Sequence, residues 1–105
     1  MTVDDIKDFV VAIDPDADHY ESEYREGASY TVWYEQGPIE EDSGDGEYLG
    51  GIKFTIARIT REENDVIAAA LYAALDASDT IAFQYKPDFD PESGYILHIF
   101  ACEGA

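Results

Sequence analysis

The sequence predicts an α+β fold: one small domain, with elements in the order α-β-β-α-β-β and helices packed on a mostly antiparallel sheet. Three observations lead there. Two segments repeat apolar residues at helical spacing, each opened by a threonine followed three residues later by an acid. Four others alternate apolar and polar residues or concentrate β-branched and aromatic side chains. The length of 105 residues with 46% hydrophobic residues suits one core, so residues 1–105 read as a single domain.

The first helix spans Thr2 to Ile13. Thr2 caps it, Asp5 answers as the capping-box acid, and Asp4 and Asp5 sit at the positive end of the helix dipole. Ile6, Phe9, Val10 and Ile13 share one face, and Asp14-Pro15 stops the helix because a residue before proline avoids the α region. Residues 14–29 read as an acidic loop with Tyr20 and Tyr24 as its only large apolar bodies. Residues 29–35 read as a strand, with Tyr30, Val32 and Tyr34 opposite Thr31, Trp33 and Glu35. Residues 36–48 carry three glycines, a proline and five acids, which predicts a second acidic connection, mobile at its tip.

Ile52, Phe54 and Ile56 alternate with Lys53, Thr55 and Ala57 in a strand running to Ile59. Thr60-Arg61-Glu62-Glu63 reads as a capping box opening a helix over 62–77, with Ile67, Leu71, Ala74 and Leu75 as the buried stripe and a thin alanine-rich profile. Thr80–Lys86 alternates again, with Ile81, Phe83 and Tyr85 on one face. Pro87 to Gly94 is a proline-bounded turn. Tyr95–Cys102 is apolar on both faces, which predicts a central or doubly covered strand.

Charge narrows the function classes. The net charge of −18 arises from 24 acids against Lys7, Arg25, Lys53, Arg58, Arg61 and Lys86. It argues against direct binding to phosphate backbones and to anionic membranes. Residues 14–47 hold twelve acids and one base. Three readings fit that asymmetry: a solvated loop region, a surface that mimics or repels nucleic acid, and a salt-adapted protein. The single cysteine excludes an intrachain disulfide and a cysteine-rich zinc site. The acidic start and the lack of a long apolar run predict neither signal peptide nor membrane span, and so a protein kept inside a reducing cell.

No pattern marks a catalytic, cofactor or metal site. Cys102 ends an apolar strand and reads as a buried structural thiol. His19 lies in an acidic loop and His98 between Leu97 and Ile99, with no spacing that marks a metal pair or a triad. Asp14, Asp16 and Asp18 match the start of a calcium loop, but His19 stands where glycine is needed and Arg25 where the bidentate glutamate belongs. The run Asp42 to Glu47 reads as a turn rather than a cation cage, and Gly50-Gly51 precedes a strand where a phosphate cradle would follow one. Glu62 and Glu63 are accounted for by capping.

Three stretches carry a family resemblance. They are Thr2–Lys7 with Asp14-Pro15-Asp16-Ala17, then Tyr30-Thr31-Val32-Trp33, and then Phe54–Leu75 followed by Gly94–Gly104. Together they cover most of the chain, and it resembles prophage-encoded minor tail and tail-completion (tail terminator-like) proteins. The segment between Glu35 and Gly50 departs most from that pattern, being more acidic. The resemblance implies a small α+β subunit without catalytic residues. Such a subunit forms a homo-oligomeric ring at the end of the tail tube and contacts other tail or head–tail connector proteins, first in the host cytoplasm and then in the virion tail. An acidic lumen that repels passing DNA would suit such a ring. The competing expectation is an acidic DNA mimic of the anti-restriction or anti-CRISPR type, which holds its acids on ordered elements and binds a DNA-binding protein.

Overall fold

The computed structural model describes residues 1–21, 28–39 and 51–105. Helix α1 runs Val3–Ile13, and its capping box is complete: Asp5 N–H donates to the Thr2 hydroxyl at 3.2 Å and Thr2 N–H to the Asp5 carboxylate at 2.8 Å. The strands that follow are β1 (Asp18–His19), β2 (Tyr30–Pro38) and β3 (Ile52–Thr60). Helix α2 (Val66–Ala77) leads into β4 (Ile81–Phe89) and β5 (Ile96–Gly104). The sheet order is β1-β2-β3-β5-β4, antiparallel throughout except where β1 joins β2 in parallel. The fold is α+β. No helix among the described residues is long and apolar enough to cross a membrane.

Register explains the core. Trp33 pairs with Ile56, which pairs with Phe100; Phe54 pairs with Cys102, and Cys102 with Phe83. These residues therefore share one face of the sheet. Ile6 and Val10 of α1 and Leu71 and Leu75 of α2 cluster with them, so both helices pack on that face. Leu71 is fully buried. Leu71→Ala is expected to lower stability by about 2–5 kcal/mol, measured by urea unfolding.

Several boundaries differ from expectation, each for a physical reason. The acidic stretch 14–29 contributes the short strand β1, which was not expected; residues 22–27 of that stretch lie outside the described residues. Strand β2 continues through Gly37 to Pro38 with a register shift between Glu35 and Gly37 that leaves Gln36 as the extra, unpaired residue. The expected mobile tip of 36–48 lies outside the described residues from position 40 onward. Strand β3 is prolonged to Thr60, so the Thr60–Glu63 pattern is not a capping box: the Thr60 hydroxyl accepts from Glu62 N–H at 3.1 Å at the strand end. Helix α2 begins later, at Val66, because Asp65 caps it through Ala68 N–H at 2.8 Å. Strand β4 runs through Pro87, where a turn was expected, and an edge strand tolerates a residue without an N–H. Strand β5 lies between β3 and β4, the central place its two apolar faces predicted.

Gly51 opens β3 at φ +101°, where a side chain would meet the Gly104 carbonyl oxygen at 2.5 Å. Glycine is required there by the close approach of β5.

Candidate functional site

The buried face of the sheet changes from apolar to polar at one end. Beyond Trp33, Ile56 and Phe100, the next residues in phase are Thr31, Arg58 and His98, paired across β2, β3 and β5. The C-terminal end of α1 and the N-terminal end of α2 meet above them. Arg58 Nε donates to Asp65 Oδ2 at 2.9 Å and Nη2 to Oδ1 at 3.1 Å, a bidentate pair. Nη1 donates to the Thr31 hydroxyl at 3.2 Å and lies 3.5 Å from Asp14 Oδ2. Arg58, Asp65 and Asp14 are all buried.

The electrostatics are self-consistent. Burial pushes the Asp65 carboxyl up, but the hydrogen bond from Arg58, the Ala68 N–H and the guanidinium charge together hold it below its ordinary 3.8. Asp65 faces the positive end of α2, and Arg58 lies by the negative end of α1 near the cap residue Asp14. This cluster is buried and internally satisfied, so it ties two helix ends to the sheet.

The same polar end reaches the surface on the β4 side. Tyr85 and His98 share a hydrogen bond of 2.7 Å between the phenol oxygen and Nδ1. His98 is 8% exposed, its pKa is pushed down by burial, and its Nε2 has no partner among the described residues. A groove of about 460 Å³ opens between α2 and β4, lined among others by Glu63, Asn64, Asp65, Tyr72, Tyr85 and His98. The Tyr72 and Tyr85 rings stand edge to face, with centroids 5.6 Å apart and planes at 89°.

A second polar group braces the opposite edge. The His19 ring stacks on Trp33 at 3.9 Å and on Tyr20 at 4.1 Å, and His19 Nε2 lies 2.7 Å from Glu35 Oε2. The Tyr20 hydroxyl donates to the other Glu35 oxygen. Burial raises the Glu35 pKa, yet the Tyr20 and His19 hydrogen bonds hold it below its ordinary 4.5. This clip secures β1 against β2 and shortens the free edge there.

The other residues weighed from sequence do not converge. Cys102 is buried, and desolvation pushes its thiol up to about 12, so it stays a protonated core group. Asp14 turns to Arg58 while Asp16 and Asp18 are exposed, and no group of three or more metal-ligating side chains forms among the described residues. The run Asp42–Glu47 and Gly50 lie outside the described residues. Glu62 and Glu63 are exposed and cap nothing. Sequence reasoning missed Arg58, Asp65, Tyr72 and Tyr85. One signal for Arg58 was available: a base in phase with Ile52, Phe54 and Ile56 had to be buried. Comparison with protein-family models, curated proteins and solved structures gives no match.

Proposed function

We propose that this chain is a non-catalytic assembly subunit that associates with copies of itself, and that the ring is of the phage tail-completion kind its sequence resembles. The observation that carries this reading is the second face of the sheet. Both helices pack on one face, yet the other presents a continuous apolar band rather than a solvated polar one. Tyr30, Val32 and Tyr34 of β2 register with Ile59, Ala57 and Thr55 of β3, and these with Leu97, Ile99 and Ala101 of β5. An antiparallel sheet that met only water there would alternate to polar residues. Most of this band is half-buried. The free edge β4 ends beside it and carries Lys86, Pro87 and Asp88, side chains that discourage open-ended strand addition.

Association at −18 must overcome mutual repulsion, and the Debye length of about 8 Å at physiological salt screens neighbouring subunits only partly. Sedimentation equilibrium is expected to show association strengthening as salt rises, and Ile99→Asp is expected to abolish it while leaving a folded monomer. A wild-type monomer at high salt and high concentration would overturn self-association. Tight stoichiometric binding to a DNA-binding enzyme, weakened by salt and competed by duplex DNA, would replace this reading with the mimic.

A further inference from the structure

We propose that the groove between α2 and β4 binds a guanidinium group, an arginine side chain carried on a basic segment of a partner protein. The groove lies on the helix side of the sheet, since Tyr85 and Phe100 pair across β4 and β5. It is thus a separate surface from the apolar band, and the inference goes beyond self-association.

Three independent observations converge on this ligand. The first is shape and ring chemistry. Tyr72 is 45% exposed and Tyr85 36%, so although they also touch Phe83, His98 and Phe100, each ring keeps part of an edge or face accessible at the groove. A planar cation stacks on such a face, and arginine does so better than lysine.

The second is charge. Glu63 stands exposed at the rim, and no lysine or arginine is among the lining residues. Beneath them Arg58 is shared between Asp65 and Asp14, so the polar cluster itself carries an excess of one negative charge. The positive end of α2, which would otherwise favour an anion, is already taken by the Asp65 carboxylate.

The third is His98. It is more than nine-tenths buried in the groove wall, and its Nε2 has no partner among the described residues. Buried polar atoms are rarely left so. Burial keeps the ring neutral, so one nitrogen holds a proton and the other a lone pair. The Tyr85 hydroxyl accepts from Nδ1–H as readily as its own hydrogen swings to donate there. In the first arrangement Nε2 holds an unused lone pair buried beneath the groove wall, and a guanidinium N–H would reach it only with a shift of the surrounding rings.

The test is an NMR titration of the full chain with a short acetylated Gly-Ser-Arg-Ser-Gly amide and with its lysine and citrulline counterparts. The arginine peptide is expected to shift the Asn64, Tyr72 and Tyr85 amides and the His98 ring ¹⁵N signals. The citrulline peptide, equal in shape but uncharged, is expected to bind about tenfold more weakly, with lysine between them. Tyr72→Ala and Glu63→Gln, both at exposed positions, should each weaken the arginine peptide several-fold, whereas Asp76→Asn, the same loss of charge near the far end of α2, should not. Equal binding of the citrulline peptide, an equal loss in Asp76→Asn, or unmoved His98 signals would each overturn the proposal. Ile99→Asp leaves the groove intact, so failure of peptide binding and failure of self-association are read separately.

Discussion

Arg58→Met is expected to be among the most damaging single substitutions in the described chain, lowering stability by about 3–5 kcal/mol. The loss does not measure the strength of the ion pair. Methionine fills much of the arginine stem's volume, but it leaves the Asp65 and Asp14 carboxylates buried at the junction of two helices without their shared cation. Thr31 loses its donor as well. With domain stabilities of about 5–15 kcal/mol, the variant would be marginal.

The effect carries a pH signature. In the wild type, Asp65 is held below its ordinary 3.8, so its contribution is present above that value and is lost as pH falls through the folded pKa. In Arg58→Met the buried carboxylate is unpaired and disfavoured, and protonation relieves it. The stability gap between the two proteins is therefore expected to narrow as pH falls, beginning above the ordinary 3.8, where the unpaired Asp65 takes up its proton, and continuing below it as the wild type loses its pairing. His98 adds to the acid sensitivity of the wild type. Its folded pKa is lowered by burial, so protonation favours the unfolded chain as pH falls below the ordinary 6.5. Urea unfolding at neutral and acid pH checks both statements; a gap that widens in acid would refute the assignment of Asp65.

Phe54→Ala is expected to cost a comparable 3–5 kcal/mol, roughly, by a different route. Phe54 is fully buried on β3 and pairs with Cys102 of β5, beneath the face that takes α1 and α2. Truncation removes the ring's transfer free energy and opens a cavity that the surrounding strands cannot close, because the sheet register holds them apart. Phe54→Leu is expected to recover most of the loss. Unlike Arg58→Met, Phe54→Ala should show no narrowing of its deficit in acid, so the same pair of titrations separates a packing defect from an electrostatic one.

The candidate groove was barely legible from sequence, and the residues say why. Tyr85 was placed on a strand face, but its exposure depends on β4 being the sheet edge. His98 was read as flanked by Leu97 and Ile99, and only pairing with Arg58 on one side and packing beside α2 gives it buried surroundings. Asp65 follows Asn64 just before Val66, a fair cap signal, yet the stronger-looking Thr60–Glu63 pattern drew the helix start forward. Two local patterns competed, and the choice was made by a guanidinium on another element.

Local chemistry in the sequence determined the α1 capping box, the identity of both helices, the four long strands, the central place of β5 and the apolar stripes that meet in the core. Those features rest on contacts within a few residues or on periodicities of 3.6 and 2, which the chain carries wherever it goes. Tertiary structure alone decided the strand order, the short parallel β1, the later start of α2 and the meeting of Asp14, Asp65, Thr31 and Arg58 around one cation. These depend on which surfaces come together at long sequence separation. There the cost of burying a charge, and the need to give it partners, outweighs any local propensity.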